Sequence, residues 1–505
     1  MSSENRYPIG ANGRISAIWN RPLIFWGGWC VLVVLIATCL GSNLPEIQIG
    51  PDEHFEVNKS LLWAKGYPLY TRIWNDQPPL YTVLLGMLFK CFGPSIIVAR
   101  GLAAGFGLLL LTAFFIAVKR TSGSLAACVA SFCLITAPEV VKVGISVMLE
   151  VPAIATGLCA LLPLYRWKNN SGRSWLMASG LVFGAALQVK YTALILLPAL
   201  TVEIVLLSWQ KERTSRIMQS LDNCVVWFGI VAIAFLLIGM VLSSGYGEAW
   251  QSHFSPASRR VAETRSLTFS ILALLEHQEG LWGGVAGLLF ATIDRGWRQT
   301  ALPVTLLATA IGIFCCHRPY WDYYYLYIAV PLAWLTGYAI VGLLRFAWAE
   351  GAKGFFRSPW MRLFSYLIGS VLVVTSLTEG GTRLMSQVEE IRHLPSVHDR
   401  EAISKMKEFA SQTKWIYCMD NSIYAFYAGL PVIPELAVLP RKRFWSGQIN
   451  DEQIAAIVQR YRPEQVMLTC PEPPEALKAF MASTYVLVCD EDSCFLYVEK
   501  SLINK

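Results

Sequence analysis

Long apolar runs, every second one closed by a small cluster of basic residues, constrain this chain more than anything else in it. In lipid, a backbone leaves no polar group unpaired only as a helix or a closed barrel, and about 20 apolar residues make one helical crossing. Only 15% of the 505 residues are Asp, Glu, Lys or Arg, and 54% are hydrophobic. A soluble domain carries about a quarter charged residues, so most of this surface meets lipid. The net charge of +7 does not describe a nucleic-acid partner. The cations sit in short clusters between the apolar runs, which is the positive-inside pattern. The chain therefore reads as an α-helical polytopic membrane protein.

About eleven spans are expected, over 22–42, 97–118, 122–138, 146–165, 174–188, 191–209, 224–243, 279–293, 300–315, 323–344 and 361–378. Arg6, Arg14 and Arg21 precede the first. Lys119 and Arg120, then Arg166, Lys168 and Arg173, then Lys211, Arg213 and Arg216 close the second, fourth and sixth. Arg295 and Arg298 follow the eighth, and Arg345, Lys353, Arg357 and Arg362 flank the last connection. One side holds all of these if residues 1–21 are a cytoplasmic tail, and the odd count then puts the C-terminus outside. The first run is long and no small-x-small cleavage site follows it, so it reads as a span rather than a cleaved leader. The fifth and sixth spans are short, which expects the turn Gln188-Val189-Lys190 inside the protein.

After the membrane region, 22–384, the pattern changes. Residues 385–505 carry more charge and shorter apolar runs, and they read as a small soluble α/β domain on the outer face. Strands are expected at Lys414–Cys418, Gln465–Leu468, Tyr485–Cys489 and Cys494–Val498, with helices at Ile449–Tyr461 and Glu475–Ser483. Most of the 13 cysteines lie in apolar spans, where they act as small hydrophobes. None has zinc-ligand spacing. Cys489 and Cys494 flank a hairpin turn on the oxidising side and are a candidate pair.

The densest chemistry lies in the first outer loop, 43–96. Asp52 and Glu53 stand side by side about ten residues beyond the first span, where paired carboxylates are costly to bury. Pro51 suits the opening of a helix that runs to Ala64 and stops at Gly66. Two readings stay open for Asp52, Glu53 and Glu56 in its first turns. They complement the helix dipole, or Asp52, kept ionised by that same geometry, serves as a general base. Tyr67-Pro68-Leu69-Tyr70 follows, then Trp74-Asn75-Asp76-Gln77-Pro78-Pro79-Leu80-Tyr81, whose double proline fixes an extended turn before an apolar run.

This order of motifs resembles the GT-C superfamily of integral-membrane glycosyltransferases, and within it the protein O-mannosyltransferase and aminoarabinose transferase group (glycosyltransferase family 39). The Asp-Glu pair and the Pro-Pro-Leu turn are similar to the family's first outer loop. Ser146-Val147-Met148-Leu149-Glu150-Val151-Pro152-Ala153 resembles its acidic-Pro motif. Leu187-Gln188-Val189-Lys190-Tyr191-Thr192 resembles its Thr-Lys-Tyr-Thr stretch, and His317-Arg318-Pro319-Tyr320 its His-x-x-Tyr patch. The resemblance covers roughly residues 20–345. The Lys that usually precedes Pro-Pro is Gln77 here.

The resemblance implies a sugar donor on a polyprenyl phosphate and an inverting displacement onto an acceptor hydroxyl of a lipid, glycan or protein. Asp52 is then the expected base, with Glu53 or Glu150 orienting it or the acceptor. The anionic leaving group needs cations near the outer membrane surface. Lys190 with Tyr191 beside it comes first, then Arg318, His317 and Tyr320, and then Arg259 and Arg260 in the loop after the seventh span. No cofactor is implied, although a divalent cation is compatible with the chemistry. The expected location is a bacterial inner membrane. The competing class is a polyprenyl-linked glycan flippase or transporter, but the chain shows neither the internal repeats nor the matched broken helices of that class.

Overall fold

The computed structural model describes residues 46–169, 172–211, 216–243, 278–293, 296–317, 320–348, 359–397, 400–491 and 494–503. The expected first span and the candidate residues Arg259, Arg260 and Arg318 lie outside them.

The expected outer loop contains α1, Glu53–Ala64, and α2, Leu80–Phe92. Gly66, at φ +96°, ends the first helix as its sequence implied; the left-handed region is open to glycine without a Cβ penalty. The second helix is not among the expected elements. Its 13 residues are too few to cross a bilayer, and it packs on α1 instead. Gly86 permits that approach, since a Cβ there would lie 2.4 Å from the Trp63 ring and 3.0 Å from the Ser60 carbonyl oxygen.

The following helices are α3 Ile96–Ser122, α4 Ser124–Thr136, the short α5 Val140–Ile145, α6 Glu150–Cys159, α7 Leu161–Trp167, α8 Ser174–Leu187, α9 Leu197–Lys211 and α10 Arg216–Leu242. Then come α11 Gln278–Ile293, α12 Trp297–Cys316, α13 Leu326–Trp348 and α14 Pro359–Arg392. Among the described residues, five helical stretches are long and apolar enough to cross a membrane: Ile96–Ser122, Tyr191–Gln210, Arg216–Leu242, Trp297–Cys316 and Asp322–Leu344.

The expected span 146–165 is interrupted at Ala160, between α6 and α7. Pro163 has no N–H for the Cys159 carbonyl, so one rung of the ladder is missing at the break. Short 3₁₀ segments precede two helices, Tyr191–Leu196 before α9 and Asp322–Tyr325 before α13. Gln188, Val189 and Lys190, exposed by 0%, 2% and 6%, are buried as the short flanking spans implied. The last helix, α14, is 34 residues long, well beyond the expected 361–378. Its polar extension reaches α5, where Lys142 bonds Glu390 at 3.2 Å.

The C-terminal region begins with α15, Glu401–Glu408, and β1, Ile416–Cys418. Next come α16 Ile423–Tyr427, α17 Arg441–Trp445, α18 Asp451–Tyr461, β2 Gln465–Leu468, α19 Glu475–Thr484, β3 Tyr485–Glu491 and β4 Cys494–Glu499. The sheet order is β1-β2-β4-β3, with β1 parallel to β2 and the other pairs antiparallel. Asn450 and Gln453 form a reciprocal capping box that starts α18, satisfying two N–H groups at that end. Cys489 and Cys494 are both buried free thiols, not the candidate disulfide. They oppose Leu496 and Glu491 in the β3–β4 register rather than each other.

One face of this sheet packs on α18 and α19 through Tyr417, Val458, Val466, Leu477 and Met481. The other contributes Ile416, Met467 and Leu496 to the same apolar cluster as Leu61 and Leu62 of α1. Asn58 of α1 also donates to the Ser422 carbonyl at 3.0 Å. The outer-loop helix is thus clamped between the membrane helices and the sheet.

What holds α1 to the membrane helices is a buried ion pair. Arg100, near the start of α3, donates from Nε and Nη2 to the two Glu53 oxygens, each at 3.0 Å. Both side chains are almost wholly buried, at 1% and 0%. The same carboxylate accepts the backbone N–H groups of Ile49 at 2.9 Å and Val147 at 3.3 Å. Removing one partner of such a pair leaves an uncompensated charge and costs about 3–5 kcal/mol. Arg100→Leu is therefore expected to lower the thermal unfolding midpoint of the purified protein sharply. Arg120→Leu, at an exposed position on the same helix, is expected to leave it nearly unchanged. Equal midpoints for the two variants would contradict the assignment.

Candidate active site

The two neighbouring carboxylates at the head of α1 have opposite fates. Glu53 turns inward to Arg100 and does not line the cavity beside it. The expectation that Glu53 orients the base or acceptor directly gives way to a tethering position. Asp52 points the other way, into a cavity of ≈ 1070 Å³.

Asp52 occupies the N-cap position of α1 but makes no side-chain cap hydrogen bond. Its carboxylate is left for the cavity, where the Tyr323 hydroxyl donates to Oδ2 at 3.2 Å. More than the helix start acts on this carboxylate. Burial pushes its pKa up from the ordinary 3.8 to about 6, against the pull of the Lys190 ammonium and helped upward by Glu150. Next to it, burial pulls His54 down to about 4, so its imidazole is neutral at pH 7.

Gly50 allows this loop to lie on the second outer segment. A Cβ at Gly50 would come within 2.6 Å of Met148 Sδ and 2.7 Å of Ser146 Oγ. Glu150 opens α6 just beyond and is fully buried at the cavity wall. Lys190 forms a salt bridge with Glu150 Oε1. The second oxygen, Oε2, is buried with no hydrogen-bond partner among the described residues. The Lys190 ammonium also lies 5.4 Å and 5.7 Å from the ring centroids of Tyr323 and Tyr324, whose negative faces attract it. Asp52, Glu150, Lys190, Tyr191, Tyr323 and Tyr324 therefore share one wall.

His317 also lines the cavity. Tyr320 does not; it is 1% exposed and packs edge-on against Phe314, with ring centroids 5.5 Å apart. A second buried cluster was not anticipated. Lys59 donates to Glu56 at 2.5 Å and to Asn75 at 3.0 Å, while Thr82 donates to the other Glu56 oxygen at 3.1 Å. It fixes the Asn75–Pro79 turn against α1. Gln77, where the resembled family has Lys, lines the cavity next to this cluster.

The C-terminal region closes the far wall with Asp420, Asn421, Arg441 and Lys442. Asp420 and Asn421 hold positive φ, 56° and 38°, a conformation that Asp and Asn tolerate better than other side chains. Lys442 pairs with Asp76 of the outer loop at 3.2 Å. Nothing in the spacing of the sequence joined these residues to Asp52, because more than 360 positions separate them. Among the described residues, no three His, Cys, Asp or Glu side chains group so as to hold a metal ion.

Residues 76–242 match the family model described as dolichyl-phosphate-mannose-protein mannosyltransferase. No curated protein sequence matches the chain. Its structure is similar to apo ArnT from Cupriavidus metallidurans, with a TM-score of 0.60 at 16% identity over 94% of this chain and 99% of that one. It is similar to the same protein bound to undecaprenyl phosphate, with a TM-score of 0.57 at 15% identity and the same coverage of 94% and 99%. It also resembles the Archaeoglobus fulgidus oligosaccharyltransferase tethered to an acceptor peptide, with a TM-score of 0.51 at 12% identity over 89% of this chain and 69% of that one. From its outer-loop helices to its C-terminal sheet, this chain is an integral membrane protein with the GT-C glycosyltransferase fold.

Proposed function

We propose that the protein transfers a sugar from a polyprenyl-phosphate donor to an acceptor hydroxyl at the outer face of the membrane, with inversion and with Asp52 as general base. The observation that carries this reading is the placement of Asp52: uncapped, held by Tyr323, and facing a cavity large enough for a sugar and an acceptor. Undecaprenyl phosphate bound to ArnT supports a donor of that class.

The apolar end of the cavity suits a lipid tail. Leu194 and Ile313 line it and are also exposed, by 46% and 39%, on the outside of the helices. A polyprenyl chain entering between them brings its phosphate towards Lys190. The acceptor approaches from the opposite wall, where the C-terminal region lies. As its oxygen bonds to the anomeric carbon, its proton passes to Asp52 and the bond from that carbon to the phosphate oxygen breaks. The sugar changes hand once, and polyprenyl phosphate departs. Lys190 meets the charge that grows on the departing oxygen, in a site where such contacts act strongly. Glu150 orients Lys190 and balances it before the donor arrives. Arg259, Arg260, His317 and Arg318 remain candidate partners for the phosphate, and Glu53 serves by fixing the helix that carries Asp52.

A base works best with a pKa near the operating pH, and such catalysis contributes roughly 10²–10⁴-fold. Asp52→Asn is expected to lose about that much turnover; retention of more than a tenth excludes the role. The sign of the pKa shift adds a second expectation. Folding raises the Asp52 pKa from 3.8 to about 6, so the folded state binds the proton more tightly. The associated stability is complete below about pH 4 and is lost as pH rises through about 6. At pH 7 the Asn variant is therefore expected to melt no lower than wild type, while wild-type turnover rises with pH through about 6 and then levels. A rate independent of pH over 5–7 would contradict the assignment.

Lys190→Ala alone would strand the buried Glu150 charge, so Lys190→Ala/Glu150→Gln is the cleaner variant. It is expected to weaken donor binding by about tenfold to a hundredfold, the range for a charge-assisted contact, measured as transfer rate against donor concentration. Lys190→Arg is expected to restore part of the loss. Unchanged donor dependence in the double variant would move the phosphate site to His317 and Arg318.

A further inference from the structure

A second groove lies on the seam between the outer loop and the C-terminal region, away from Asp52. It has a volume of ≈ 420 Å³ and is lined by Tyr67, Arg72, Lys414, Trp415, Arg460 and Tyr461, with Glu464 at its edge. Three rings form its base. Trp415 meets Tyr67 edge-on at 5.8 Å and Tyr461 at 5.6 Å, with interplanar angles of 67° and 90°. The platform is anchored from below, since the Glu464 carboxylate accepts the backbone N–H groups of Lys414 and Trp415, both at 2.9 Å.

The rim is cationic. Arg72 and Arg460 share one carboxylate, Glu435, at 3.4 Å for Arg72 and in a salt bridge for Arg460. Arg460 also lies 5.3 Å from the centre of the Tyr461 ring. The two arginine side chains remain 61% and 60% exposed. Glu435 thus aligns both guanidinium groups while neutralising only one of them, and with Lys414 set against the Glu464 carboxylate the groove keeps one net positive charge. Aromatic faces carry negative potential and attract the C–H edges of apolar or sugar rings. Aligned guanidinium groups recognise carboxylates and phosphates.

We infer that this groove is an accessory binding site for an anionic saccharide: sugar rings stack on Tyr67, Trp415 and Tyr461, and carboxylate or phosphate groups meet Arg72, Arg460 and Lys414. The choice of a saccharide rests on the transferase reading. The position fits an extended acceptor, because Arg72 faces this groove while Trp74 and Asp76, a few residues on, line the cavity that holds Asp52. A glycan running along the seam would present its end to Asp52 and its body to the aromatic platform.

The experiment is equilibrium binding to the purified full-length protein in detergent, with tetragalacturonate and maltotetraose as probes. Tetragalacturonate is expected to bind wild type and Asp52→Asn equally, since binding here needs no transfer. Arg72→Ser/Arg460→Ser, at two exposed positions, is expected to weaken it about tenfold or more, and Trp415→Ala to do the same. Maltotetraose is expected to bind far more weakly than tetragalacturonate. Equal binding of the two probes, or tetragalacturonate binding unchanged in the arginine double variant, would overturn the proposal. Binding that survives while Asp52→Asn keeps full turnover would leave the groove standing and remove the proposed chemistry, so the two failures are distinguishable.

Discussion

The architecture of the site depends on a carboxylate that does not face the cavity. Glu53 lies fully buried where the first outer loop, the second outer segment and α3 converge, held by both nitrogen contacts from Arg100 and by the N–H groups of Ile49 and Val147. Four donors on one carboxylate make it a strong joint in a low-dielectric setting. This joint anchors the start of α1, beside which Asp52 stands. Asp52, at the N-cap one residue before the helix, faces the cavity while Glu53 faces inward.

Asp52, Glu150 and Lys190 balance one another electrostatically at that wall. Burial disfavours the charge on Asp52, while the nearby ammonium favours it, and the outcome near 6 is a group able both to accept a proton and to give it up. Lys190 is held ready by a carboxylate of its own and by two tyrosine rings. The opposite wall belongs to the C-terminal region. Its sheet shares an apolar cluster with α1, and its Lys442–Asp76 pair and the Trp74–Gln448 hydrogen bond at 2.8 Å stitch the seam. We propose that this region completes the acceptor side of the cavity rather than standing apart from it.

Much of this was legible in the amino-acid sequence because local signals carried it. The Pro51–Gly66 punctuation marked the first helix, short apolar runs marked the C-terminal strands, and short flanking spans implied that Lys190 is buried. Other features depended on contacts distant in the chain. Arg100 lies just inside an apolar span, where a lone cation reads as interfacial, and its partner is 47 residues away. Asp52 and Glu53 are equivalent as a motif; only Arg100 and Tyr323, one buried and one at the cavity, separate their roles. The α2 helix was too short to read as a span, and α14 ran beyond its apolar stretch because polar residues are stable once helix and contact partners exist. The grouping of Asp420, Arg441 and Lys442 with Asp52 is a product of the fold alone.

The central claim is that Asp52 and Lys190 flank the reacting bond. The direct measurement is an experimental structure of the protein with a non-transferable polyprenyl-phosphate sugar bound. The account predicts the phosphate within about 2.7–3.2 Å of Lys190 Nζ, the lipid leaving between Leu194 and Ile313, and the free face of the anomeric carbon towards Asp52. A donor phosphate seated away from Lys190, or a sugar that turns its anomeric carbon away from Asp52, would contradict it.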